Sequence, residues 1–80
     1  MTMREFMSSE EVEQIKCFWE AALVGERMEE GYKIICKQHE YFYIEYKVKN
    51  NMYLSVRVFK NPDLLQPYLE QMKIQLPFER

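Results

Sequence analysis

The spacing of apolar residues divides the chain into a helical first part and an extended middle part. Between residues 8 and 30 apolar side chains recur at helical spacing, which predicts an amphipathic helix. The apolar face of that helix consists of Val12, Ile15, Phe18, Trp19, Ala22 and Leu23. Ser8 and Glu11 match a capping box at its start, and Gly31 suits its end. The apolar stripe fades after Val24, so we expect fraying near Gly25.

Alternating apolar and polar residues predict three strands between residues 32 and 60. The segment is rich in Tyr, Ile, Val and Phe, which are residue types that suit a pleated sheet. The predicted strands are Tyr32–Lys37, Tyr41–Val48 and Met52–Lys60. The sequence Gln38-His39-Glu40 separates the first two strands, and Lys49-Asn50-Asn51 separates the last two.

A second helix is predicted over residues 61–73. It begins with an N-cap, a proline at the first helical position and an acid in the first turn, which are Asn61, Pro62 and Asp63. Pro67 has no amide hydrogen and should kink or restart this helix. The chain is therefore predicted to be a single domain, 1–80, with a flexible arm over residues 1–7 and an extended tail over residues 74–80.

The predicted fold class is α+β, a three-stranded antiparallel meander of order 1-2-3 with an N-terminal and a C-terminal helix on one face (α-β-β-β-α). Turn length decides which side chains share a face, because a slip of one residue reverses a strand. A two-residue Asn50-Asn51 turn would mix apolar and charged side chains, so we expect three-residue loops at both breaks. The core face would then carry Tyr32, Ile34, Cys36, Phe42, Ile44, Tyr46, Val48, Met52, Leu54, Val56 and Val58.

The opposite face of this predicted sheet gathers aromatic and basic side chains that the two helices would leave uncovered. A large exposed aromatic patch on a small domain is typical of an interaction site. The hypothesised anchors are Tyr41, Tyr43, Tyr53 and Phe59, and the cations that would orient a partner are Lys33, Lys37, Lys47 and Arg57. Glu45 is the single acid predicted on this face.

Charge is segregated along the chain, although the net charge of the 80 residues is only −2. Residues 1–30 hold 3 basic and 8 acidic residues, whereas residues 31–60 hold 6 basic and 2 acidic residues. A near-neutral chain without a long apolar run argues against general nucleic-acid binding and against a membrane span. No secretory signal pattern is present, so we expect a cytoplasmic protein in which Cys17 and Cys36 are free thiols.

The sequence contains few residues that could support catalysis. The single histidine, His39, lies three residues after Cys36, but nothing in the pattern orients it as a base, and a structural zinc site needs four ligands. We expect no enzyme activity, no metal, no cofactor and no small-molecule substrate.

The function predicted from these patterns is that of a small non-enzymatic protein-interaction module. Its size favours a bacterial or phage-type regulator, adaptor or inhibitor. The partner would be another protein or a second copy of the chain, with a homodimer expected because the core is thin. The alternative is binding of single-stranded nucleic acid, RNA in particular, by stacking on the same face.

Overall fold

The structure is a computed structural model that describes residues 1–69. These residues form two N-terminal helices, α1 (Met3–Ser8) and α2 (Glu11–Glu20), followed by four strands and a 3₁₀ helix. The strands are β1 (Ala22–Glu29), β2 (Tyr32–His39), β3 (Phe42–Lys49) and β4 (Met52–Phe59), and the 3₁₀ helix is Pro62–Leu65. Residues 66–69 are again helical.

The sheet is an antiparallel meander of four strands in the order β1-β2-β3-β4. The α+β class and the three predicted strands are confirmed, but the prediction of three strands missed β1. This strand occupies the second half of the predicted helix 8–30. Glu30 and Gly31 have φ values of 51° and 87°, which is the backbone of a tight hairpin turn. Pairing with β2 therefore overrides the weak helical pattern beyond Val24.

Helix α1 forms in the segment that was expected to be a flexible arm. The side chain of Thr2 accepts a hydrogen bond from the Glu5 N–H at 3.1 Å, and the Glu5 carboxylate accepts one from the Thr2 N–H at 2.8 Å. These two bonds are a capping box, so the box lies at Thr2 and Glu5 rather than at Ser8 and Glu11. Phe6, which is buried, fixes the helix to the sheet.

Both expected three-residue loops are instead two-residue turns. His39 pairs with Phe42 around Glu40-Tyr41, and Lys49 pairs with Met52 around Asn50-Asn51. Asn50 and Asn51 have φ values of 53° and 65°, a backbone that asparagine tolerates well.

The changed turns alter the two faces of the sheet. Because of the shorter β2–β3 turn, the pairing of β2 with β3 differs from the predicted one by an odd number of residues. Every side chain of β2 therefore lies on the face opposite to the predicted one. In β4, Leu54 has no partner on β3 and forms a bulge. Beyond that bulge Tyr46 pairs with Val56, and Ile44 with Val58. These four residues therefore share a face, as the sequence predicted.

We call the side of the sheet that α1 and α2 cover the helix face. Its buried core consists of Phe6, Cys17, Phe18, Phe42, Ile44 and Tyr46, with Ile35, Val48 and Val58 packed against them. The opposite side, which we call the groove face, carries a smaller cluster of Ile34, Cys36 and Phe59. Tyr68 and Leu65 from the C-terminal segment pack onto this cluster.

The C-terminal segment therefore lies on the opposite side of the sheet from the N-terminal helices, and the prediction of both helices on one face was wrong. Its predicted start is confirmed, because the Asn61 side chain accepts a hydrogen bond from the Asp63 N–H at 2.9 Å and Pro62 follows the cap. The end of the predicted second helix and the predicted tail 74–80 lie outside the described residues.

Candidate functional site: a basic groove

The eight residues predicted to share one binding face are distributed over three parts of the fold. Lys33, Lys37 and Tyr53 lie on the helix face; Tyr43, Lys47, Arg57 and Phe59 lie on the groove face; and Tyr41 lies in the β2–β3 turn, where it is 84% exposed. The reversal of β2 moved the two lysines, and the shorter β3–β4 turn moved Tyr53, which precedes the bulge. The structure therefore does not bring the eight residues together.

Tyr53 and Lys37 support helix α2. The Trp19 Nε1–H donates a hydrogen bond to the Tyr53 hydroxyl oxygen at 2.8 Å. The Lys37 ammonium donates to the Trp19 carbonyl oxygen at 3.5 Å and lies 4.8 Å from the centre of the Phe18 ring. Lys33, farther along β2, forms an ion pair with Glu26 at 3.3 Å. All three predicted residues are thus engaged with neighbours on the helix face.

Tyr43 and Phe59 stack on each other at the covered end of the groove face. Their ring centres are 5.3 Å apart and their planes differ by 27°. The Arg57 guanidinium lies 4.9 Å from the centre of the Phe59 ring, and the Arg57 side chain is half exposed. Phe59 is buried in the cluster with Tyr68, so the pair continues the core rather than forming a free aromatic surface.

The remaining predicted cations, Lys47 and Arg57, line an open groove on the groove face. A third cation, Arg27 of β1, completes the basic wall and was not predicted. The groove has a volume of about 330 Å³ and is lined by Arg27, Glu29, Ile34, Glu45, Lys47, Ser55 and Arg57. We call it the basic groove.

The floor of the basic groove is the carboxylate of Glu45, which is only 7% exposed. Its Oε1 accepts a hydrogen bond from the Arg57 Nε–H at 3.0 Å, and its Oε2 accepts one from the Tyr68 hydroxyl at 2.5 Å. The guanidinium of Arg27 lies 3.7 Å from Oε2. A buried carboxylate needs such partners, because an unpaired charge in the interior is very costly.

Tyr68 contacts two of the residues that line the basic groove, Glu45 and Arg27. Burial, and then its hydrogen bond to the Glu45 carboxylate, raise the pKa of its hydroxyl above the ordinary tyrosine value, so it remains a donor. The Arg27 guanidinium lies 5.3 Å from the centre of its ring. A Cβ on Gly25 would come within 3.1 Å of the Tyr68 ring, so glycine permits this close packing.

The groove keeps positive charge that its own carboxylates do not fully satisfy. Arg27 contacts Glu29 at 3.5 Å, yet its Nε is buried without a hydrogen-bond partner among residues 1–69. The Arg57 side chain is 53% exposed, and Lys47 lies over the Tyr32 ring at 5.0 Å. Three cations surround two carboxylates, so the groove is suited to bind an anionic group such as a carboxylate or a phosphate.

The cysteine nearest the groove is not poised for chemistry. Cys36 is fully buried, and burial raises the pKa of its thiol to about 12, so it is protonated at neutral pH. His39 lies on the opposite face of the sheet, beside the Phe42 ring. In the part of the chain that the structure describes, no group of three or more His, Cys, Asp or Glu side chains could hold a metal ion.

Arg27 was missed because its segment was interpreted as helix. The signal for it lies in the alternation of Gly25, Arg27 and Glu29, which places all three on one side of a strand.

Among residues 1–69 no helix has the length and apolarity to cross a bilayer. No protein-family model, curated protein or solved structure matches this chain.

Proposed function

We propose that this chain is a non-enzymatic protein-interaction module whose basic groove binds an acidic segment of a partner protein. The observation that carries the proposal is the wall formed by Arg27, Lys47 and Arg57 around one buried and already paired carboxylate. A cleft with an excess of positive charge concentrates anionic ligands and speeds their association.

The groove is preorganised for this role. Tyr68 and Arg57 hold Glu45 in place, so an incoming carboxylate does not have to rearrange the floor of the site. Each half-exposed charge pair contributes only about 0.2–1 kcal/mol, so a partner must engage several cations together. We therefore expect binding that weakens strongly as salt is added.

An octaglutamate peptide is a suitable first probe of the proposal. We expect it to bind at low salt, as measured by fluorescence anisotropy, and we expect Lys47→Gln to weaken binding about three- to fivefold, the effect of about 1 kcal/mol. Lys33→Gln is the matched control, because it removes the same charge from the helix face. Absence of binding to wild type, or equal loss in both variants, would contradict the proposal.

Single-stranded RNA is the second candidate ligand. The observation that favours it is Tyr32, whose ring centre lies 5.0 Å from the ammonium groups of both Lys47 and Lys49. An aromatic ring flanked by cations can stack a base while phosphates are neutralised. A labelled oligouridine that binds more tightly than octaglutamate, and that loses affinity when Tyr32 is replaced by alanine, would favour this function.

A further inference from the structure

Strand β4 forms an outer edge of the sheet, immediately beside the basic groove. It pairs with β3 on one side, and on its other side no strand is present among residues 1–69. Native proteins usually protect such an edge with proline, lysine or short strands. The eight residues Met52–Phe59 contain neither proline nor lysine, and Arg57 is their single charge.

An apolar cavity lies along the same edge on the helix face. It has a volume of about 370 Å³ and is lined by Phe6, Met7, Gln14, Val56, Arg57 and Val58. A second cavity, of about 600 Å³, shares Met7 with the first and is lined by Thr2, Met3, Arg4, Met7, Ser8 and Lys60. We call the two together the α1–β4 cavity. Met7, 62% exposed, is common to both parts.

The side chains of β4 alternate between the α1–β4 cavity and the basic groove. Val56 and Val58 lie on the helix face, beside the cavity, whereas Ser55 and Arg57 lie on the groove face. A strand added beside β4 would have the same period of two. Its side chains would enter the cavity and the groove in turn.

Charge indicates which occupant fits this edge. The charged residues that line the α1–β4 cavity are Arg4, Arg57 and Lys60, and no acidic residue lines it. A second copy of β4 would bring another Arg57 and no acid, so self-pairing brings like charges together. An acidic segment of a different protein complements both the edge and the groove.

We propose that β4 accepts an extended segment of a partner protein, with alternating acidic and apolar residues, as a fifth strand of the sheet. The acidic side chains enter the basic groove and the apolar ones enter the α1–β4 cavity. Backbone hydrogen bonds along β4 supply affinity, and the two faces supply specificity. This inference rests on the proposed function and adds the partner's conformation and sequence pattern.

Two peptides of equal composition test the inference. One alternates glutamate and valine over eight residues, and the other has four glutamates followed by four valines. We expect the alternating peptide to bind at least about tenfold more tightly, since it alone can satisfy both faces. When the alternating peptide binds, we also expect the NMR signals of the β4 amides of the protein to shift. The hydrogens of these amides should exchange more slowly with solvent.

A matched pair of variants locates the bound peptide. Met7→Glu places an acid at the α1–β4 cavity, and Met28→Glu places one at the other edge of the sheet, where the methionine is equally exposed at 62%. Met7→Glu should reduce binding of the alternating peptide several-fold, whereas Met28→Glu should leave it within twofold of wild type. Equal effects of the two substitutions would overturn the inference.

The outcomes separate the inference from the proposed function. Suppose that the peptide with four glutamates followed by four valines binds as tightly as the alternating one, and that Lys47→Gln weakens the binding of both peptides. The proposed function of the groove then stands, and the proposal of a fifth strand is overturned. If neither peptide nor octaglutamate binds, the proposed function itself fails. A dimeric mass in light scattering that Met7→Glu reduces to a monomer would show that a second copy occupies the edge, and it would also overturn the inference.

Discussion

At the scale of single residues, the polar network around Glu45 determines the character of the groove face. The alternation of β3 places Glu45 opposite the helices, as the sequence predicted. Its burial could not be predicted, because the residue that covers it, Tyr68, lies 23 positions later in the chain. Local patterns contain no information on such a pairing, which depends on how the chain crosses the sheet after β4.

Replacing Tyr68 with phenylalanine tests the contribution of this network. The change removes the donor to Glu45 and keeps the ring, so we expect the free energy of unfolding to fall by about 1.5–3 kcal/mol. Urea unfolding followed by circular dichroism measures the effect. Tyr41→Phe, in the exposed turn, should change stability by less than about 0.5 kcal/mol. Similar losses in the two variants would show that the Glu45 contact contributes nothing.

At the scale of secondary-structure elements, the sequence located β2, β3 and β4 to within two residues but missed β1 and α1. The three strands were found because their aromatic and β-branched residues alternate strongly. Strand β1 contains Gly25 and two glutamates and owes its conformation to pairing with β2. Helix α1 was missed although Thr2 and Glu5 have capping-box spacing, because helices this short rarely form without tertiary packing.

Phe6 provides the packing that holds α1 on the sheet. Its ring is buried and lies 5.9 Å from the ring of Phe42, so Phe6→Ala should cost about 3–5 kcal/mol of stability. Met7→Ala, on the exposed side of the same helix, should cost less than about 1 kcal/mol. Amide exchange over Met3–Ser8 would show whether α1 detaches locally or the whole domain loses stability. Equal destabilisation by the two substitutions would contradict the role of Phe6 in holding α1 on the sheet.

At the scale of the whole molecule, the sheet is covered on both faces by opposite ends of the described chain. Helices α1 and α2 cover one side, and the segment carrying Leu65 and Tyr68 covers part of the other. The sequence predicted the fold class and the face shared by Phe42, Ile44 and Tyr46. The sequence could not predict on which face of the sheet each candidate binding residue lies. Turns that are one residue shorter than expected, and one bulge, move whole sets of side chains to the other face.

Stability at alkaline pH tests this two-sided burial. Burial raises the pKa of Cys36 from 9.0 to about 12 and that of Tyr46 from 10.0 to about 12. Above pH 9 the unfolded chain releases protons that the folded chain keeps, so stability should fall as pH rises, by up to about 1.4 kcal/mol per pH unit for each group. Well below pH 9 both groups are protonated in the folded and in the unfolded chain, so neither contributes a slope.

The measurement is urea unfolding at pH 8, 9 and 10 in the presence of a reductant. Cys36→Ala should show a shallower decline than wild type between pH 9 and 10, because the variant lacks the thiol that the unfolded chain deprotonates in this range. Identical slopes for the variant and wild type would contradict a buried, protonated thiol at this position.

The two free cysteines lie on opposite sides of the sheet, Cys17 on the buried side of helix α2 and Cys36 beneath Tyr68. A thiol-modifying reagent can reach either sulfur only after the layer above it opens. Labelling of Cys36 before Cys17 would identify the C-terminal layer as the one that lifts first, and the reverse order would identify the helical layer. The wild-type chain thus reports on the opening of each side without any engineered cysteine.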